Sequence, residues 1–236
     1  MFESPRHHDV LKILRAFDAD LLASTGFLFG GGTRIVLELA EFRESLDVDF
    51  LCSDSSGYGE LRWRARTQGY AGLFTRDQPS GISFPREMRI DQYGIRFPAS
   101  VGENVVKVEL IREGGIDLGP GVRPDWSPVD CLSIDDCFAV KLLANSDRWA
   151  DRQVLGRDLI DIAAMRGRFG PIPDASWAKA EAAYKSAPRD DLGKAMSNFV
   201  NDRNFQVRCF EGLRISEPKR ILDGVSLLAK DLDREV

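Results

Sequence analysis

Two carboxylates, Asp47 and Asp49, lie two positions apart in an otherwise apolar run. Residues i and i+2 of a β-strand face the same side, so a strand through this run projects both side chains together. Adjacent carboxylates repel each other, which lowers stability unless a cation between them offsets the repulsion. Mg²⁺ prefers such hard oxygen ligands. The pair therefore indicates a site for Mg²⁺ or Mn²⁺, although most isolated Asp-x-Asp pairs are exposed strand ends or turns.

A glycine turn, Gly30-Gly31-Gly32, precedes the two carboxylates and follows the apolar run Phe27-Leu28-Phe29. Glycine lets backbone N–H groups approach a phosphate closely. A glycine pair alone is usually only a turn. The turn and the carboxylate pair together, in this order, predict a phosphate cradle beside a metal pair, which is the chemistry of a nucleotide.

Three predicted elements position these groups: a strand at 27–29, a helix at 33–42 and a strand at 46–52. Apolar residues at helical spacing predict an earlier helix at 10–23. The remaining predictions for the first half are a helix at 61–69, strands at 70–76, 81–84 and 87–97, and a central strand at 104–111.

The densest cluster of glycine and proline, at 114–128, predicts the link between two domains. Beyond it the pattern is helical, with Asp135 and Asp136 capping a helix that runs to Arg148. Further helices are predicted at 154–168, 175–186, 190–203 and 218–232. We expect an α/β (α+β) domain with a mixed sheet at 1–125 and an all-α domain at 126–236.

Composition restricts the class of protein. The 236 residues carry a net charge of −5, which argues against a strongly basic, non-specific nucleic-acid binder. No apolar run is long enough to cross a membrane, and the N-terminus has no signal-peptide core. The four cysteines are scattered and form no Cys-x-x-Cys pair, so we expect no zinc site and a cytoplasmic location.

With an arginine and a serine upstream, the carboxylate motif resembles that of the nucleotidyltransferase superfamily. It is most similar to the AbiE-type (AbiEii/AbiGii-like) abortive-infection toxins, whose pattern is Gly-Gly-Thr, a helix and Arg-x-Ser-x-Asp-x-Asp-Phe. The matching residues are Gly31, Gly32, Thr33, Arg43, Ser45, Asp47, Asp49 and Phe50. Arg34 departs from the pattern, because small apolar residues are usual there.

The resemblance implies a nucleotidyltransferase fold for 1–125 and an NTP substrate. It assigns Mg²⁺ binding to Asp47 and Asp49 and the cradling of the β- and γ-phosphates to Gly31, Gly32 and Thr33. It places Arg43 and Ser45 in the nucleotide-binding motif as well.

Glu109 is the candidate for the third carboxylate that nucleotidyl transfer usually needs, as a second metal ligand and as a base for the attacking hydroxyl. It shares one face of the strand at 104–111 with Lys107. The alternative is a solvent-facing Lys–Glu pair on a one-sided sheet, and many family members carry Asp at the matching place. Glu103 and Asp91 are weaker candidates.

A later segment resembles further family motifs: a lysine on a helix, then Arg-Asp-x-x-Asp-Leu/Ile. Lys141 lies among apolar residues, where burial is costly unless its ammonium meets an anion such as a triphosphate. The alternative is that its stem reaches the surface. Asp158 and Asp161, on one helix face, would orient Lys141 or bind nucleotide; Arg148 and Arg157 would pair with them.

The resemblance implies a toxin of a toxin–antitoxin or phage-defence pair, with tRNA as acceptor and a cognate antitoxin as partner. Two alternatives are an antibiotic-modifying nucleotidyltransferase and a non-catalytic nucleotide-binding domain. A basic cluster, Arg62-Trp63-Arg64-Ala65-Arg66, suits RNA, although a solvated helix with Trp63 pointing into the core explains it better.

Overall fold

The computed structural model describes residues 2–75 and 80–234. It divides into two compact units. The first comprises Met1–Arg34 and Leu46–Ser133, and the second comprises Ile35–Ser45 and Ile134–Val236. The glycine- and proline-rich stretch at 114–128 belongs to the first unit. In it, Val122 forms an isolated β-bridge with Cys131.

Five strands form one mixed sheet in the described part of the first unit, which confirms the predicted fold class. The strands are β1 (Leu28–Gly30), β2 (Val48–Cys52), β3 (Arg89–Ile90), β4 (Gly94–Val101) and β5 (Asn104–Arg112). Their order in the sheet is β1-β2-β5-β4-β3. β2 runs parallel to β5, and the other neighbouring pairs are antiparallel.

The alternation of β5 follows the predicted pattern. Val106, Val108 and Leu110 are buried on one face, whereas Lys107 and Glu109 occupy the other and keep some exposure. This strand, predicted at 104–111, therefore places an acid on the less buried face of the sheet beside β2.

The helix predicted at 10–23 is wrong as a single element. The chain forms α1 (Pro5–Ala16) and then α2 (Ala19–Ser24). Phe17 between them is buried and forms a β-bridge with Phe74. The Asp18 carboxylate accepts a hydrogen bond from the Leu21 N–H at 3.0 Å and so starts a new helix. Helical spacing of apolar residues continues through this break, which is why the pattern concealed it.

The region at 55–97 differs from its prediction in three places. α4 (Ser55–Gln68) begins six residues before the predicted helix at 61–69 because Asp54 caps it. The strand predicted at 70–76 is wrong where the structure describes it, since Gly69–Gly72 is a 3₁₀ turn and Arg76 lies outside the described residues. The predicted strand at 81–84 contributes only a bridge at Ser83.

The strand predicted at 87–97 is divided into β3 and β4 by a turn. The Asp91 carboxylate accepts hydrogen bonds from the backbone N–H groups of Tyr93 and Gly94, at 2.7 and 3.0 Å. These local bonds reverse the chain, as expected for an Asx-type turn. Asp91, a weaker candidate for the third carboxylate, thus acts in the turn, and Glu103 lies exposed in the turn between β4 and β5.

The helix predicted at 33–42 is shorter and earlier: α3 spans Gly31–Glu38. Ala40 and Glu41 follow in the left-handed region, with φ of 59° and 57°. The Glu41 N–H donates to the Val36 carbonyl at 2.9 Å, which closes the end of the helix.

The second unit is helical, as predicted for the second half. Its helices are α5 (Ile134–Arg148), α6 (Arg157–Phe169), α7 (Asp174–Tyr184), α8 (Ala187–Asn201), α9 (Arg203–Gly212) and α10 (Pro218–Arg234). α9 is the helix that the pattern missed; Asp202 caps it by accepting from the Phe205 N–H at 2.9 Å. No helix in the described part of the chain has both the length and the hydropathy of a transmembrane segment.

Candidate active site

The glycine turn lies directly against the Asp49 carboxylate. Gly30 is opposite Asp49 in the β1–β2 register, and α3 begins at Gly31. Gly31 has φ of 68°, and a Cβ built there would lie 2.3 Å from Asp49 Oδ2. Only glycine satisfies both the left-handed backbone and this close approach. The turn therefore brings the N-terminus of an eight-residue helix next to a carboxylate, as the sequence motif requires.

Asp47 lies one residue before β2. The strand was predicted at 46–52 but begins at Val48, so only Asp49 of the pair is inside the ladder. Both carboxylate residues are half-buried. Asp49 is thus fixed by the sheet, whereas Asp47 is positioned by the segment that leads into it.

Glu109 is opposite Asp49 across the parallel β2–β5 pair. Opposed residues project to the same face of a sheet, so the two acids share a face. The Glu109 carboxylate is held by Arg96 at 3.1 Å and by Lys107 at 2.5 Å. Arg96 is opposite Glu109 in the β4–β5 register. Among the described residues, no group of three or more His, Cys, Asp or Glu side chains could hold a metal ion.

Thr33 and Arg34 are buried, with 0% and 1% exposure, whereas Gly31 and Gly32 stay partly exposed. The Arg34 guanidinium stacks over the Trp126 ring, 5.4 Å from its centroid. This cation–π contact stabilises a guanidinium that has little access to water. The departure from the family pattern at Arg34 is therefore a packing feature, and the exposed donors of the turn are those of the two glycines.

A buried network of five charged side chains occupies the second unit. Lys141 Nζ lies 2.9 Å from Asp158 Oδ1 and 2.6 Å from Asp161 Oδ2. Arg43 binds Asp161 through two bonds of 2.7 and 2.8 Å, and Arg148 binds Asp158 through two of 2.6 and 2.9 Å. Lys141 is only 5% exposed, so its stem does not reach the surface and its charge is compensated internally.

The network fixes the charge state of its members. Burial alone would raise the pKa of Asp158, but the Lys141 ammonium and the Arg148 guanidinium outweigh it and hold that pKa well below its ordinary value. Burial would lower the pKa of Lys141, yet Asp158 and Asp161 raise it. Three cations and two anions leave the network with one net positive charge, which favours an anionic ligand.

Arg43 is a residue of the first motif and also a member of this network. It is 4% exposed, and besides Asp161 it donates to the Glu44 carbonyl at 2.8 Å. Its motif neighbour Ser45 is half-buried and ends the segment that belongs to the second unit. The Arg-x-Ser part of the motif is therefore tied to the helices that carry Lys141.

The geometry agrees with what comparison with known proteins finds. The model of the family described as "Nucleotidyl transferase AbiEii toxin, Type IV TA system" matches residues 12–221. The chain belongs to the AbiEii family. It is thus a nucleotidyltransferase of a toxin family, as the sequence motifs predict. No curated protein sequence matches it significantly.

Two solved structures share this fold. A proposed nucleotidyltransferase from Helicobacter pylori superposes with a TM-score of 0.58 at 17% identity, covering 100% of this chain and 99% of that one. JHP933, also from H. pylori, gives a TM-score of 0.56 at 16% identity, covering 100% and 96%. At these identities the likeness shows a common fold.

Arg96 is the site residue that sequence reasoning missed. It pairs with Glu109 and, at 3.1 Å, with Asp91. The sequence indicates that Arg96 lies on the polar face of a strand, because it stands between Ile95 and Phe97 in the strand predicted at 87–97. Only the register of β4 against β5 shows which acid it meets.

Proposed function

We propose that this enzyme uses Mg²⁺ to transfer an NMP from an NTP to an acceptor hydroxyl, with tRNA as the acceptor. The observation that carries the proposal is the contact of the Gly31 turn with the Asp49 carboxylate. Asp47 and Asp49 would hold the metal together with substrate phosphates, a common ligand set for Mg²⁺. Bound Mg²⁺ would neutralise charge on the triphosphate and favour departure of pyrophosphate.

The backbone N–H groups of Gly31 and Gly32 would bind the β- and γ-phosphates. They lie in the first turn of α3, where donors without helical partners and the helix dipole favour an anion. Thr33 follows these glycines in α3 and is fully buried. In the proposed reaction the acceptor oxygen forms a bond to the α-phosphorus, the α–β anhydride bond breaks, and pyrophosphate leaves.

Glu109 is proposed as the third carboxylate and as the group that takes the acceptor proton. Its place opposite Asp49 supports this role, whereas Arg96 and Lys107 now compete for its charge. In the reacting state one of these cations would move to a substrate phosphate. Glu109→Gln is expected to lower kcat at least 100-fold. An unchanged rate would assign Glu109 to a structural ion pair instead.

Lys141 and Arg148 are proposed to neutralise the triphosphate, and Asp158 and Asp161 to orient Lys141. The net charge of the network and the raised pKa of Lys141 support a permanently protonated ammonium. Lys141→Met should abolish transfer. Lys230→Met, which removes an exposed lysine of the same unit, is the matched control and should keep the rate.

An exposed basic and aromatic surface on the first unit supports RNA as the acceptor. Trp63 on α4 is 56% exposed and not in the core, and Tyr93 between β3 and β4 is 63% exposed. Two arginines, Arg62 and Arg66, also lie on α4. Arg89 lies on β3, which packs against α4. Aromatic faces stack on bases, and arginines bind phosphates. Trp63→Ala is expected to raise the KM for RNA and to leave the KM for NTP unchanged.

The type IV toxin–antitoxin family supports a cognate antitoxin as a partner. The cytoplasm, where NTP and tRNA are present together, is the proposed location. The acceptor is the first property of the proposed reaction to test.

The test is transfer of label from each of four α-³²P-NTPs to total tRNA, with Mg²⁺ and with EDTA, for wild type and Asp49→Asn. We expect label on RNA from one preferred nucleotide, lost with EDTA and in the variant. Label that appears only on a small aminoglycoside-type acceptor would replace tRNA by the antibiotic-type function. Undiminished transfer in EDTA would contradict the metal requirement.

A further inference from the structure

An open cavity of about 370 Å³ lies between α5, α6, α8 and α9 in the second unit. Small-molecule sites in proteins usually measure about 300 to 1,000 Å³, so this cavity has the size for one small ligand. All of its lining residues belong to the second unit. It therefore stands as a feature of the helical unit by itself.

The wall carries a buried amide without a hydrogen-bond partner. Asn145, on α5, is 2% exposed, and its Nδ2 atom makes no hydrogen bond with the residues that the structure describes. Buried polar groups in native proteins are nearly always paired. Asn198, on α8, adds an exposed amide to the same wall. Side-chain amides are the groups that pair with the edges of nucleobases.

Aromatic rings and cations complete the wall. The Arg152 guanidinium lies 4.6 Å from the centroid of the Phe205 ring and pairs with Asp202. Trp149 lines the cavity from the end of α5. Rings of this kind stack on bases, and arginines bind phosphates.

The cavity adjoins the buried charge network. Arg148 and Asp158 line the cavity and at the same time belong to the network that holds Lys141. A ligand in the cavity would thus lie beside the group proposed to neutralise the triphosphate. A base with its sugar and phosphate matches the amides, the rings and the two arginines, Arg148 and Arg152, that line the cavity.

We propose that this cavity binds a nucleobase with its ribose, and this inference rests on the proposed nucleotidyl transfer. The chemistry is shared by two sources, the base of the NTP and the terminal base of the RNA acceptor. The amide of Asn145 would read the edge of the base, and Phe205 would pack against its face.

The test compares binding of two probes to the full chain: the four non-hydrolysable α,β-methylene NTPs with Mg²⁺, and short single-stranded oligoribonucleotides. Asn198→Trp fills the mouth of the cavity with a ring. Asn204→Trp makes the same change at an exposed position of α9 outside the lining and is the matched control. Asn145→Ala removes the amide that lacks a partner, and urea unfolding checks that this variant is folded.

We expect Asn198→Trp and Asn145→Ala to weaken one probe about tenfold, the effect of about one lost hydrogen bond to a polar group, and to leave the other unchanged. Asn145→Ala should also flatten the preference among the four bases. Loss of NTP binding assigns the cavity to the NTP, and loss of oligonucleotide binding assigns it to the acceptor. Wild-type affinities and base preference in both variants would overturn the inference.

The two proposals fail separately. If label transfer occurs in the wild type but the cavity variants bind both probes normally, the cavity inference is wrong and the transferase proposal stands. If the cavity binds a base but no transfer to any RNA occurs, the tRNA proposal is wrong and the cavity stands. Asp49→Asn should lose transfer and keep base binding.

Discussion

Replacing Gly31 with alanine places a methyl group where the Asp49 side chain lies. The added carbon would be 2.3 Å from Oδ2, 2.9 Å from Cβ and 3.0 Å from Cγ of Asp49. Rotation of the carboxylate relieves only the first contact, because Cβ is fixed to β2. The variant must therefore move the turn or the aspartate.

The size of this effect follows from the geometry. Real Cβ contacts are essentially never shorter than 3.0 Å, so the carboxylate oxygen must shift by at least about 0.7 Å. A misplacement of about 1 Å can lower a catalytic rate about 100-fold. Alanine at a φ of 68° costs a further ~1–2 kcal/mol of folding free energy. Stabilities of about 5–15 kcal/mol tolerate this, so the variant should fold.

The assay is the rate of label transfer from the preferred NTP, measured with the free energy of unfolding in urea. Gly59→Ala is the control, since its Cβ would meet nothing within 4 Å on α4. We expect Gly31→Ala to lose about 100-fold in kcat/KM and Gly59→Ala to lose nothing.

Wild-type activity in a folded Gly31→Ala variant would refute the reasoning that the turn and Asp49 act together. A variant that fails to fold would show instead that the turn is needed for stability. Asp49→Asn, which adds no atoms, then tests the carboxylate by itself.

Three further predictions concern the helical unit. Gly224→Ala on α10 would place a Cβ 2.2 Å from a backbone carbonyl of α6, so it should cost about 1–3 kcal/mol in urea unfolding. Arg43→Lys replaces a two-bond contact with Asp161 by a single ammonium, and we expect a lower melting temperature and a loss of about 1–3 kcal/mol. The folded pKa of Asp158 lies below its unfolded value of 3.8, so its stabilisation is complete above that pH and declines as pH falls further. Below about pH 4, the free energy of unfolding of Asp158→Asn should therefore change less steeply with pH than that of the wild type. An unchanged slope would show that Asp158 does not have a lowered pKa in the folded state.

Sequence patterns predicted the structure correctly where it depends on residues that are close together in the chain. The glycine turn, the position of Asp49 on a strand and the alternation of β5 each depend on a few neighbouring residues, and each was predicted from them. The break at Phe17, the turn at Asp91 and the helix after Asp202 were missed. In all three an aspartate makes hydrogen bonds to nearby backbone N–H groups, and apolar periodicity does not reveal such bonds.

The sequence by itself determined the family motif and its candidate residues, because short-range spacing sets which side chains a strand or helix presents together. Only the tertiary structure decided that Glu109 is opposite Asp49 and is held by Arg96, and that Arg43 binds Asp161. Arg43 and Asp161 are 118 positions apart. Contacts at such separations depend on strand register and helix packing. These are set by the free energy of the whole fold, so a local sequence pattern does not predict them.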